Sequence, residues 1–245
     1  MDDYGPFCYL DVQKTGSTFI SAFLRECSLI PVLKSKKHGT IRSTLNPLAK
    51  GGVYRKQTYY FNSVRNPFRY YASLYNYGLD RRGGLFKRLK RHGKEGLYEA
   101  SEKAFLYWLE FLLDEENAHL IGEGYDAFSH TGIGLLTYRF LRLSMSDPLK
   151  KLARASTLSD IENIYEEDNI SSRTIKNEYL KDELKYIVFD KFPEFFDEEK
   201  SKLNLRNGLV NNSKNDIASQ YVLECNKSIS RILQRKDIFI FDKFY

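Results

Sequence analysis

The chain has 245 residues, 42% hydrophobic and 29% charged, the balance of a soluble globular protein with enough apolar side chains for one sizeable α/β core. It has no apolar run of bilayer length, no basic-then-apolar leader, and three cysteines (Cys8, Cys27, Cys225) too scattered for a disulfide framework or a CxxC metal site, which predicts a cytoplasmic protein. The net charge of +6 comes from one stretch: Arg81, Arg82, Lys87, Arg88, Lys90, Arg91 and Lys94 carry +7 with no acid among them, leaving −1 elsewhere and no general nucleic-acid-binding surface.

Without repeats, low-complexity segments or a Pro/Ser linker, a single domain spanning 1–245 is expected. The apolar run Pro6–Val12 predicts a strand, and Lys14-Thr15-Gly16-Ser17-Thr18 leads from it into an amphipathic helix near 17–27. Ile30-Pro31-Val32-Leu33 reads as a short extended piece. Thr58–Val64 is β-branched and aromatic, a buried strand. Asn66 as N-cap and Pro67 at the first helical position then open an aromatic-rich helix to about Tyr77, whose Tyr70, Tyr71, Tyr75 and Tyr77 are expected to pack.

Residues 81–96, rich in Gly, Lys and Arg, read as a basic insertion loop, either solvated or a lid whose Leu85, Phe86 and Leu89 form a small apolar face for surface docking. Helices are predicted near 100–113, 133–145, 147–155 and 159–167, a strand at Arg173–Lys176, and an amphipathic helix over 178–191. A polar loop over 204–215, a long helix over 216–235 and a strand or turn over Asp237–Phe244 complete the chain. His92, His119 and His130 read as structural or exposed. Strands alternating with helices predict an α/β fold, a central and mainly parallel sheet flanked by helices.

A strand feeding a small-residue turn that opens a helix presents backbone N–H groups and a positive helix end to a phosphate. The turn is too short for the nucleoside-triphosphate motif, and its lysine precedes the glycine by two residues, so it points to a different phosphate ligand. A second grip follows at the next strand end, where Arg65 is followed eight residues later by Ser73. In an open parallel sheet, ligands bind beyond the carboxyl ends of the strands, and two such grips suit a nucleoside with phosphates at both ends.

These two segments, Lys14–Thr18 and Arg65-Asn66-Pro67-Phe68-Arg69-Tyr70-Tyr71-Ala72-Ser73, resemble the 5′-phosphosulfate loop and the 3′-phosphate motif of sulfotransferases that use 3′-phosphoadenosine-5′-phosphosulfate (PAPS). The carbohydrate-type members and their small bacterial relatives are the nearest in pattern. The resemblance is strong over about 6–80 and weaker through Gly134–Leu141, Arg173–Leu184 and Asn211–Lys214.

It implies a P-loop-like three-layer fold with a largely helical acceptor side, and the following roles. The amides of Thr15, Gly16, Ser17 and Thr18, with the Ser17 and Thr18 hydroxyls, hold the 5′-phosphate. Lys14 meets the oxygen bridging phosphorus and sulfur, where charge develops as sulfate leaves. Arg65 and Ser73 bind the 3′-phosphate. Ser213 and Lys214 belong to a late loop over the nucleotide.

No metal is required, and the product is adenosine 3′,5′-bisphosphate (PAP). An acceptor hydroxyl also needs a base. His38 is the candidate, with Lys34, Lys36 and Lys37 nearby to favour the neutral ring; some members of the family use a glutamate instead. The expected acceptor is a glycan, glycolipid or small hydroxylated molecule, with Arg81–Lys94 as a candidate for peripheral contact with a membrane surface. A nucleotide or small-molecule kinase and a catalytically inactive nucleotide-binding protein are the other readings. The missing triphosphate turn, and Asn62 and Arg65 where a magnesium-binding acid would stand, count against the first. The intact Lys14 and His38 count against the second.

Overall fold

The computed structural model describes residues 1–44, 51–207 and 227–245. By their contacts they divide into two compact units: residues 1–65, 140–148 and 165–211 belong to the first, and 66–139, 149–164 and 212–245 to the second. Among the described residues the boundaries fall at Arg65/Asn66 and inside the helices Leu135–Ser144, Pro148–Leu152 and Leu158–Asp168.

The first unit holds the sheet. Its strands are β1 (Asp2–Asp3), β2 (Phe7–Leu10), β3 (Lys34–Ser35), β6 (Tyr59–Val64) and β7 (Ser171–Lys176), in the order β3-β1-β2-β6-β7; β4 (Ile41–Arg42) and β5 (Gly52–Val53) form a separate parallel pair. β2, β6 and β7 are parallel, with Leu10 opposite Asn62 and Val64 opposite Lys176, whereas β1 runs antiparallel to both β2 and β3. The sheet is therefore mixed, and its parallel part is the one anticipated.

Helix α1 (Ser17–Cys27) buries Phe19, Ile20, Phe23, Leu24 and Cys27 along one face, and these join Phe7, Tyr9, Phe61, Ile175, Leu184, Ile187 and Val188 in one apolar cluster. Burial of each large apolar side chain there contributes about 1.5–3 kcal/mol.

Two local features of this unit go beyond the sequence reading. The extended piece Ile30–Leu33 leads into the strand Lys34–Ser35, which pairs with Asp2–Asp3, and the Leu33 N–H already bonds the Asp3 carbonyl at 2.7 Å. That partner strand was not anticipated, since two buried acids do not read as sheet. Arg25 on Asp2 and Arg55 on Asp3 neutralise them. The single helix expected over 178–191 is a 3₁₀ turn, a short α-helix (Leu180–Lys185) and a π-helical turn (Tyr186–Lys191).

The second unit is helical. α2 (Pro67–Leu79) starts as its sequence predicts, with Asn66 Oδ1 accepting from the Phe68 N–H at 3.1 Å. Tyr70, Tyr71 and Tyr75 are fully buried, and Tyr77 is half-buried with the Arg82 guanidinium over its ring at 4.5 Å. Tyr75 anchors an aromatic cluster, its ring centroid 5.5, 5.2 and 5.1 Å from those of Tyr98, Phe105 and Trp108. A Cβ on Gly78 would come within 2.0 Å of the Tyr98 ring, so this helical glycine makes room for that cluster.

The basic stretch is the main correction. Residues 84–91 form helix α3 (Gly84–Arg91), and Leu85, Phe86 and Leu89 are buried in the unit rather than available for surface docking. Phe86 packs edge-on against Tyr98 at 5.4 Å. Lys and Arg are good helix formers, and apolar residues at i, i+1 and i+4 make a core-facing stripe. The stripe is legible in the sequence; that the unit's own core covers it is not.

At the other end of the chain, Ile238–Phe244 is a helix where a strand or turn was expected. Its β-branched and aromatic composition favours sheet in isolation, but Phe239 and Ile240 are buried within a helical unit. The polar loop expected over 204–215 begins instead as the end of a helix, Glu198–Asn207; its remainder lies outside the described residues. His92, His119 and His130 are exposed. Among the described residues, no helix is long and apolar enough to cross a membrane.

Candidate functional site

Three parallel strands end along one edge of the sheet, and each hands the chain to a residue of interest: β2 to Asp11 and the Lys14–Thr18 turn, β6 to Arg65, and β7 to Asn177. In the turn, Lys14 (φ 64°) and Gly16 (φ 91°) have left-handed backbones. For lysine that conformation costs about 1–2 kcal/mol. Gly16 is the N-cap of α1 and has no side chain to cap it, so the first-turn amides are left for another acceptor. A Cβ on Gly16 would lie 2.5 Å from Asn177 Nδ2, so any larger residue would have to displace the side chain of the residue that follows β7. Lys14 and Gly16 are half-buried, Thr15 and Ser17 buried, and Thr18 exposed.

A chain of hydroxyls anchors the turn to β6. Thr15 Oγ1 donates to the Val12 carbonyl at 2.9 Å and lies 2.6 Å from Ser63 Oγ, which is 2.7 Å from Tyr9 Oη. Each hydroxyl has one proton, so Tyr9 donates to Ser63 and Ser63 to Thr15. Burial pushes the Tyr9 phenol well above its ordinary pKa and keeps it a donor. The Thr15 side chain is thus committed to structure, and only its amide remains for a ligand.

His38 also has a left-handed backbone (φ 52°) and a partly exposed side chain. Its Nδ1 lies 2.7 Å from the Asp11 carbonyl oxygen and 3.2 Å from Asp11 Oδ2, and its backbone N–H reaches the same carboxylate at 2.8 and 3.0 Å. Burial raises the Asp11 carboxyl, but hydrogen bonding from His38 and the charge of the adjacent Met1 amino group outweigh it and hold the group below the usual carboxylate range. The charge nearest the ring is therefore an acid; Lys34, Lys36 and Lys37 are exposed.

The structure brings Lys14–Thr18, His38 and Arg65 to one sheet edge within the first unit. Ser73 is half-buried on α2 in the second unit, and Ser213 and Lys214 lie outside the described residues. Sequence reasoning passed over Asp11, Ser63 and Asn177. Asp11 was the detectable one, an acid at the end of an otherwise apolar strand run. The other two act through contacts that no local pattern encodes. Among the described residues, no group of three or more His, Cys, Asp or Glu side chains is arranged to hold a metal ion. Comparison with protein-family models, with curated proteins and with solved structures gave no match.

Proposed function

We propose that the chain is a sulfotransferase on a P-loop-like fold, moving a sulfuryl group from PAPS to a hydroxyl of a carbohydrate or glycolipid acceptor. The observation that carries this reading is the common strand edge: the turn and Asp11-bound His38 at the end of β2, and Arg65 at the end of the neighbouring parallel strand β6. That edge is where open parallel sheets bind ligands. The residues suit the donor chemically, with a lysine, an arginine and an uncapped helix start of 11 residues for its anionic groups.

The donor supplies the sulfuryl group, and the chain's own residues do the rest. First-turn amides of α1 hold the 5′-phosphate, and Arg65 holds the 3′-phosphate. His38 takes the acceptor proton as the acceptor oxygen bonds to sulfur. The electron pair of the breaking S–O bond passes to the phosphate oxygen, where the fixed ammonium of Lys14 stabilises the growing charge more in the transition state than before it. The part assigned to Ser73, Ser213 and Lys214 rests on the resemblance alone.

Calorimetric titration tests the reading. PAP should bind without magnesium, ATP with magnesium should compete poorly, and Arg65→Ala should weaken PAP by about 1.5–3 kcal/mol for a lost charged hydrogen bond. Equal or tighter binding of ATP with magnesium would replace this reading with a kinase. A screen of candidate acceptors with radiolabelled donor then identifies the substrate.

A further inference from the structure

We infer that Asp11 is a positioning residue for His38, clamping its main chain and its ring so that Nε2 is the atom presented to the acceptor hydroxyl. The inference rests on the sulfuryl-transfer reading and deepens it. One residue supplies both halves of the clamp: the Asp11 carboxylate takes the His38 N–H, and the Asp11 carbonyl takes Nδ1.

The tautomer follows from the acceptors. A carbonyl oxygen at 2.7 Å can only accept, so Nδ1 carries the proton. The second oxygen facing the same nitrogen, Oδ2 at 3.2 Å, is an acceptor too and requires the same assignment. In the neutral ring the lone pair is then on Nε2, the form a base needs. When Nε2 takes the acceptor proton, the imidazolium that forms has the Asp11 carboxylate beside its Nδ1–H, which stabilises it without accepting the proton.

The main-chain half matters because His38 has a left-handed backbone, a conformation that persists only where surrounding contacts determine it. The carboxylate holds its N–H, and Arg142 Nη2 lies 3.4 Å from its carbonyl oxygen. The charged groups around His38 are thus Asp11, Arg142 and the Met1 amino group, which touches both Asp11 and the Lys36 carbonyl; Lys36 and Lys37 precede it in an exposed turn. An acid needed only to close this turn would have no reason to meet the ring as well.

The test uses the full chain labelled with ¹⁵N-histidine, with His38→Ala to assign the His38 signals. In the wild type, neutral His38 should show a protonated Nδ1 and an unprotonated Nε2. Asp11→Ala should give a mixture of tautomers and lower kcat by at least about 10-fold, with PAP affinity unchanged. Asp11→Asn keeps an oxygen for the His38 N–H and the carbonyl for Nδ1. It should retain the tautomer and lose turnover, because no carboxylate faces the imidazolium; it carries the test if the alanine variant fails to fold. Wild-type kcat in Asp11→Asn, or wild-type tautomer and kcat in Asp11→Ala, would overturn the inference. If no form binds PAP but Asp11→Ala still scrambles the tautomer, the sulfotransferase reading falls and the clamp stands.

Discussion

Asp11 in the sheet unit and Asp237 in the helical unit are both buried, and they are held in opposite directions. Asp11, at the end of β2, faces the His38 ring, the His38 N–H and the Met1 amino group, and is held below the usual carboxylate range although burial alone would raise it. Asp237, in the helical unit, accepts from the Tyr71 hydroxyl at 2.7 Å and from the Thr137 N–H and hydroxyl at 2.9 and 2.7 Å. These donors are neutral, and the adjacent Lys236 ammonium is engaged by Glu115 at 2.9 Å. Burial therefore dominates and raises its pKa, with those bonds and the Lys236 charge only opposing it.

A buried carboxylate stays readily charged where cationic partners reach it, and otherwise resists ionisation. The sheet unit keeps charge and left-handed backbone at its strand ends, where chemistry is proposed. The helical unit uses its acid as a hub that joins α2, the start of the helix Leu135–Ser144 and the C-terminal helix.

The largest effect that would sharpen this contrast is expected at Lys14. Lys14→Ala should lower sulfuryl transfer by at least about 10²–10³-fold, the loss typical of removing one group that stabilises transition-state charge. Its thermal midpoint should stay near that of the wild type, since the native backbone there is strained rather than stabilising. A large fall in stability with transfer intact, seen in radiolabelled-donor assays and calorimetry, would make the turn structural and break the contrast.

In the helical unit the expected cost is to folding. Leu89 is fully buried, so Leu89→Ala should cost about 2–5 kcal/mol in urea unfolding. A cost within about 0.5 kcal/mol, as for an exposed site, would return 84–91 to a solvated loop.

The smallest effects are in the pH dependence, and they have opposite signs. A folded-state pKa below the unfolded value makes Asp11 stabilising above the ordinary aspartate range, and that contribution is lost as pH falls through the folded value. The deficit of Asp11→Asn relative to wild type should therefore shrink on acidification. For Asp237 the folded value is raised, so ionisation penalises the native state increasingly as pH rises from the unfolded value to the folded one. Asp237→Asn should gain on wild type over that rise. Parallel trends in urea melts at several pH values would show that the two acids are held alike.

Much of this was legible in the chain itself. Pro6–Val12, the Lys14–Thr18 turn, α1, the 58–64 strand and the Asn66–Pro67 helix start are written in short-range chemistry: apolar periodicity, a glycine where φ is positive, a capping amide followed by proline. These fix their own local structure whatever lies beyond; the donor and the reaction come from the resemblance of the two phosphate segments to the PAPS-using sulfotransferases.

Other features depended on partners distant in sequence. Asp2–Asp3 became a strand because Arg25, Arg55 and Lys34–Ser35 came to it. The charged 84–91 segment became a core helix because Tyr98 packs on Phe86, and Ile238–Phe244 became a helix within a helical unit. His38 was visible as a histidine in a polar turn; that it is held by Asp11 was not, because the contact spans 27 residues and includes a backbone carbonyl, whose placement no side-chain pattern records. By itself, the sequence determined the turn and the strands that frame it. Which acid stays charged, which cations cover a core helix and which nitrogen of His38 is free to accept a proton were decided only when the chain closed on itself, because burial and electrostatics are properties of neighbours in space.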